Sequence, residues 1–304
     1  MKKWAAFWLV GLIWGSSFLL IRIGVEEMSP FQVVFIRTAI AAIGFNILLF
    51  LQGKRLPFSL SKAWPLILLG LFNTTVPFVL ITWGEITVES GLASVLQATA
   101  ALFGLVIAHF TLADEKINAQ RLVGLIVGFL GVIILSSKSW GEDGISGSLA
   151  GQLAIVVASF FYAIMTVYSK KTLQKGYDPM IVAGGAQTFA AISSGIGMIV
   201  APLLGGQPAT PLAELDQSIL LAVFGLGFVN TFIAYILFYW MIGQLGAARS
   251  TMVTYIVPAV GLILGTIILD EPLYWQLLVG AGLIFLGIAV VNLKIFNRSS
   301  VKAT

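Results

Sequence analysis

Apolar residues fall in long runs along this chain, parted by short polar connections. A helix needs about 20 mostly apolar residues to cross a bilayer. Reading for such runs predicts ten spanning helices, at approximately 4–21, 30–51, 64–83, 90–110, 119–136, 148–169, 179–203, 217–241, 248–268 and 273–293. The connections hold nearly all the charge, with Pro30, Pro57, Pro179, Pro208, Pro211 and Pro272 among them. The opening Met1-Lys2-Lys3 followed by an apolar run has the look of a signal peptide. However, the run from Trp4 to Ile21 is long for one, and Arg22–Glu27 offers no small-residue cleavage site. It reads as the first spanning helix. No long polar stretch remains for a separate soluble domain.

Composition agrees with a bilayer protein. Apolar residues make up 59% of the 304, and only 10% are charged; about 25% charge is usual in a globular protein. A soluble chain of this size cannot cover its surface with so few charges, which excludes a free cytosolic enzyme and a disordered chain. There is no cysteine, hence no disulfide, thiol nucleophile or cysteine-based metal site. His109 is the single histidine, so multi-histidine metal centres are excluded too. No cofactor is expected.

The net charge of +4 reports orientation rather than nucleic acid. With the N-terminus inside, the inner connections hold Lys54, Arg55, Lys62, Lys116, Arg121, Lys170, Lys171, Lys175 and Arg249. The outer ones hold Glu26, Glu27, Glu85, Glu89, Glu142, Asp143, Glu214, Asp216, Asp270 and Glu271 against Arg22 and Lys138, while Asp114, Glu115 and Asp178 fall inside. Cations concentrate on the cytoplasmic side of membrane proteins, so ten spans place both termini in the cytoplasm. No Asp or Glu falls within a predicted span, so the reading contains no intramembrane carboxylate relay.

An internal repeat adds mechanism. Asp114-Glu-Lys-Ile-Asn-Ala-Gln-Arg-Leu-Val-Gly124 returns as Asp270-Glu-Pro-Leu-Tyr-Trp-Gln-Leu-Leu-Val-Gly280, and Phe129-Leu-Gly131 as Phe285-Leu-Gly287. Shared apolar residues alone are weak evidence between two membrane helices. An acidic pair, a glutamine and two glycines at one spacing are not. Upstream, Asn73-Thr74 matches Asn230-Thr231, and Arg37-Thr38 falls against Gln187-Thr188. The chain thus divides into 1–147 and 148–304, two units of five helices. Because five is odd, the second unit is inverted across the membrane, the arrangement many secondary transporters use for alternating access.

Trp14-Gly-Ser-Ser-Phe18 in the first helix, Arg37 seven residues past Pro30, the Asp-Glu pair before the last helix of each half and the duplication itself resemble the EamA-type drug/metabolite transporter superfamily. The resemblance spans residues 4–293. It implies an all-α integral membrane fold of ten helices around a central cavity, and in bacterial members the export of amino acids or related metabolites. The second half carries Gln187 where the first has Arg37, so the halves do not offer identical sites.

Few polar residues lie within spans. A helix rises about 1.5 Å per residue, which puts Arg37 about 10 Å below the end marked by Pro30. A charge at that depth is costly and faces a wet cavity or a partner. It suits a substrate carboxylate, held bidentately, or an outer-loop Glu85 or Glu89. Asn73, Gln97, Gln187 and Asn230 are buried amides, which commonly bond between helices. The repeat-related Asn73 and Asn230 read as structural. Gln97, with small neighbours such as Ser94, reads as cavity lining. Trp14, Phe161, Tyr162, Tyr235 and Tyr255 are candidates for an aromatic wall, with Ser17 and Thr251 beside it. Pro77 and Pro258 mark hinges, and the Gly-xxx-Gly pairs at Gly11, Gly124 and Gly261 mark close helix contacts.

The expected function is secondary transport of a small polar metabolite, foremost amino-acid export across the inner membrane. The expected partners are that small-molecule substrate and the lipid bilayer, with no nucleic acid, and a monomer stays open. The alternatives are import, broad drug export, a channel, or an enzyme acting on lipid-linked substrates. An enzyme would need paired carboxylates or metal ligands near one face; the Asp-Glu signature instead has one copy on each face.

Overall fold

The structure, a computed structural model, describes residues 2–57, 59–111, 117–139 and 147–292. Asp114, Glu115, Lys116, Glu142, Asp143 and the basic tail after 292 lie outside the described residues. Within them the chain is all-helical, with no strand. In a bilayer no water satisfies backbone N–H and C=O groups, so long apolar runs close their hydrogen bonds internally as helices. Among the described residues nine helices are long and apolar enough to span a membrane. They are α1 (Lys2–Gly24), α2 (Pro30–Leu51), α3 (Leu60–Gly84), α4 (Ser90–Thr111) and α5 (Ala119–Ser139), then α6 (Ser148–Gln174), α7 (Pro179–Leu204), α8 (Gln217–Leu245) and α9 (Arg249–Ile268). A tenth apolar helix, α10 (Trp275–Val291), is shorter. It starts two residues after its apolar run does. Asp270 takes a left-handed backbone, φ 52°, which turns the chain after α9, and Pro272 disfavours helix in the residue before it.

Among the described residues four helices are interrupted inside their spans, α4 among them at Ala98 and Thr99. α3 widens into a π-helical stretch at Leu69–Thr75, and α8 does the same at Phe228–Ile233. These stretches carry the repeat-related Asn73-Thr74 and Asn230-Thr231. Hydroxyls take up carbonyls there: Thr75 donates to Gly70 O at 3.1 Å and Thr231 to Leu226 O at 2.8 Å. α9 passes from its first α-helical residues into a 3-10 turn at Met252–Tyr255. Pro77 and Pro258 each sit in the first turn after such an interruption, where their missing N–H costs least.

Glycines set the closest helix crossings. A Cβ on Gly124 would stand 2.7 Å from Gly287 O, and one on Gly131 would stand 2.7 Å from Gly280 O. Thus α5 and α10 run antiparallel, and the two copies of the repeated motif exchange contacts. Contact of i with j′ matched by j with i′ is the signature of a two-fold axis. α2 crosses α7 antiparallel as well, with Gly195 on Phe35 and Gly184 on Phe45. Asn46 donates to Thr188 there at 2.8 Å, and the Thr38 and Ser194 hydroxyls lie 3.3 Å apart. α3 meets α6 at Gly84 and Gly151, and α1 meets α9 at Gly15 and Val260. The largest buried apolar cluster, including Phe18, Leu96, Leu135, Ile155, Leu226 and Ile284, draws residues from every helix but α7.

Candidate functional site

Arg37 projects from α2 to where α3, α6 and α8 converge, and is 7% exposed. Its Nε donates to the Thr231 hydroxyl at 2.8 Å. The guanidinium lies 3.9 Å from the centroid of the Phe78 ring, a geometry that favours the charge. Tyr162, Tyr235 and Glu85 lie within electrostatic reach. Among the described residues neither terminal nitrogen of Arg37 has a recorded hydrogen bond. The planar fork is thus held in place by Nε and remains available to an acceptor.

Aromatic rings line the adjoining space. Trp14 packs edge-on to Tyr235 at 5.9 Å and against Phe238 at 5.0 Å, while Phe161 stacks on Phe72 at 5.8 Å. Tyr162, Tyr235 and Tyr239 sit deep in the molecule yet keep partial exposure. Deep residues with exposure line an internal space. Gln187, 2% exposed, has no recorded partner for its Oε1. It borders a cavity of about 30 Å³ with Asn73, Thr74, Tyr235 and Tyr239, room for about one water.

Other candidates take structural places in this conformation. The Asn230 amide donates to Ile13 O and to the hydroxyls of Ser16 and Ser17, which ties α8 to α1 and occupies Ser17. Ser94 is fully buried at the α4–α9 crossing, donating to Gly91 O and Pro258 O. Gln97 is half-buried where α4 breaks at Ala98 and Thr99. Thr251 is exposed and Tyr255 half-buried at the start of α9.

The two ends of the bundle differ. At the end carrying Glu85, every residue from Ser90 to Leu96 is buried; beyond Gln97 only every third is, at Thr99, Leu102, Leu105 and Ala108. The Glu271 carboxylate caps α4, accepting from Ser90 N at 2.6 Å and Gly91 N at 2.9 Å. Arg22 donates to Glu85 O at 2.5 Å and Ile86 O at 3.0 Å. Gln32 exchanges two backbone bonds with Thr210. Side chains are thus tightly covered at this end, and along α4 less so toward the other. There α2 and α7 are joined by Lys54 and Asp178, 2.6 Å apart, and His109 Nδ1 accepts from Ile117 N.

Sequence reasoning missed Thr231, Phe78 and Tyr239, and it placed Glu85 in an exposed loop. Glu85 is instead fully buried. The signal was Gly84: with no side chain it lets α6 close on the very end of α3 at Gly151, and the next residue goes under cover.

Comparison with known proteins bears on this arrangement. A profile of the EamA-like transporter family matches residues 3–137 and again 149–293. An uncharacterized transporter of Archaeoglobus fulgidus is 31% identical, over 97% of this chain and all of its own. The uncharacterized inner membrane transporter YedA of Escherichia coli is also 31% identical, over 96% of this chain and 91% of its own. A probable amino-acid metabolite efflux pump of Escherichia coli is 26% identical, over 97% and 96%. A crystal structure 18% identical in sequence shares the fold with TM-score 0.65, covering 96% of this chain and 97% of its own.

Proposed function

Because the chain belongs to the EamA-like transporter family, we propose that it is an inner-membrane carrier that exports a small carboxylate-bearing metabolite, an amino acid foremost, by alternating access. The observation that carries the substrate class is Arg37, a deep cation with Nε anchored on Thr231 and its fork open to an acceptor. Two parallel N–H bonds from one guanidinium match a carboxylate. The surrounding Phe78, Tyr162 and Tyr235 suit the rest of a small zwitterion. A relative named a probable amino-acid metabolite efflux pump agrees with this class.

In this reading ten helices form two inverted halves, residues 1–147 and 148–304. The double family match, the exchanged glycine contacts of α5 and α10, and the paired π-helical stretches support it. The loop cations favour both termini in the cytoplasm, and in that orientation the Glu85 end faces outward. Solute enters from the cytoplasmic side, its carboxylate meets Arg37, and rocking of the halves opens the Glu85 end. Each conformation is built from the same contacts with the halves exchanged. One chain supplies both halves, so a monomer suffices.

Transport in proteoliposomes by Arg37→Lys and Arg37→Gln tests the site. Lysine keeps the charge and loses the fork; glutamine loses both. Losing one partner of a charged hydrogen bond lowers binding about ten- to 150-fold, so an amino acid should suffer this loss while its amide, already a poor substrate, suffers little. Equal loss of acid and amide, with the protein folded, makes Arg37 a structural arginine and removes the carboxylate from the proposal.

A further inference from the structure

Glu85 is the least accounted-for group in the molecule. It is 0% exposed, and neither Oε1 nor Oε2 has a hydrogen-bond partner among the described residues. It lies one residue past α3, inside the tightly packed end of the bundle where Ser90–Leu96 are all buried. Charged and titratable groups approach it from several sides. From α1 comes Arg22, but its recorded bonds go to the Glu85 and Ile86 carbonyls, not to the carboxylate. From α2 comes Arg37, anchored on Thr231. From the segment before α10 comes Glu271, occupied with the first amides of α4. In its own loop lies Glu89, 3.9 Å from Lys138, whose ammonium sits over the Tyr274 ring. At the preceding Gly84, α6 presents Gly151 and Ile155, which carry no charge.

A carboxylate taken out of water without a hydrogen bond is far more costly than a carboxylic acid in the same place. We propose that Glu85 is a proton-binding site, and that closure of this end of the carrier takes up one proton from the solution on that side, forming the Oε–H bond of the neutral acid. Opening rehydrates the group and returns the proton to the solution then in contact with it. Proton binding is therefore part of the conformational cycle. The inference rests on the alternating-access reading, and it adds a second ligand to a cycle otherwise described by its solute alone.

The sign follows from linkage. Burial first, and Glu271 second, push the Glu85 carboxyl well above the ordinary carboxylate range; Arg22 and Arg37 oppose this without overcoming it. The closed state thus binds the proton at pH values where the open state has lost it. Closure is favoured at low pH and weakens as pH rises from about 4.3, the ordinary value, through the raised one. Across that window the closed-to-open ratio falls by up to about tenfold per pH unit for one linked proton.

The absence of cysteine allows a direct test on the intact protein. A single cysteine at Ser90, fully buried beside Glu271, reacts with a water-soluble maleimide only when this end opens; Ser94→Cys is a second reporter should the first pack poorly. Labelling is followed from about pH 5.5 to 7.5 with and without Glu85→Gln, which stays neutral throughout. Dividing the two rates removes the thiol's own pH dependence. We expect the ratio of Glu85 to E85Q labelling to climb with pH, by up to about tenfold per unit, with E85Q slow at every pH. A flat ratio overturns proton binding at Glu85 and leaves alternating access standing. No labelling of either reporter, in either background, at any pH means that this end does not open, and both readings fall together.

Discussion

At the scale of single residues, most buried polar groups meet a specific partner, and the Glu85 carboxylate is among the exceptions. Thr231 serves two helices at once. Its hydroxyl donates to the Leu226 carbonyl freed by the π-helical stretch and accepts from Arg37 Nε. Thr231→Val keeps the shape and removes both bonds. Leaving a buried carbonyl and a charged N–H unmet costs about 1–3 kcal/mol, so the variant should melt measurably lower in detergent, and Thr231→Ser should recover most of the loss. A Thr231→Val protein as stable as the parent means that Arg37 is held by something else. Arg37 was legible in the sequence because a lone arginine seven residues into an apolar run has no cheap explanation. Thr231 was not, since a threonine in an apolar helix usually bonds back within its own helix. Asn230 was read as structural, and its three bonds to α1 agree with that place.

At the scale of helices, length and apolarity mark the spans well, because a bilayer leaves a polar backbone no alternative to internal pairing. Ends are less legible: α6 runs on to Gln174, five residues beyond its apolar stretch, since its last turn needs no lipid. The breaks are legible only in part. Pro77 and Pro258 flag them, but the departures from α-helix lie upstream, at Leu69–Thr75 and Met252–Tyr255. Contacts between helices follow the glycines. Val at Gly131 drives a side chain into Gly280 O and Ile284 N, both backbone atoms that cannot swing aside. Gly282, on the facing helix, has nothing within 4 Å of a Cβ. Gly131→Val should therefore sharply reduce the folded, monodisperse yield, and Gly282→Val should leave it unchanged. Comparable behaviour of the two would remove the α5–α10 crossing as a fixed point of the fold.

At the scale of the molecule, the duplicated motif is the feature the sequence displays most openly. The structure gives it a physical sense: the two copies face each other, antiparallel, and contact each other reciprocally. Under the proposed alternating access, no single sequence displays which of two related conformations the chain adopts, since both would use the same residues. That depends on end contacts such as Glu271 on α4, a small difference between two packings of one set of helices. The central claim is that solute binding alternates between the two ends. Counterflow measures this most directly. Proteoliposomes loaded with an unlabelled amino acid, then diluted into a trace of the labelled form, should accumulate label transiently, several-fold above its level in empty vesicles. The overshoot should saturate with concentration and be abolished by Arg37→Gln. Uptake that ignores the internal load and rises linearly with concentration would describe a channel, and would contradict alternating access.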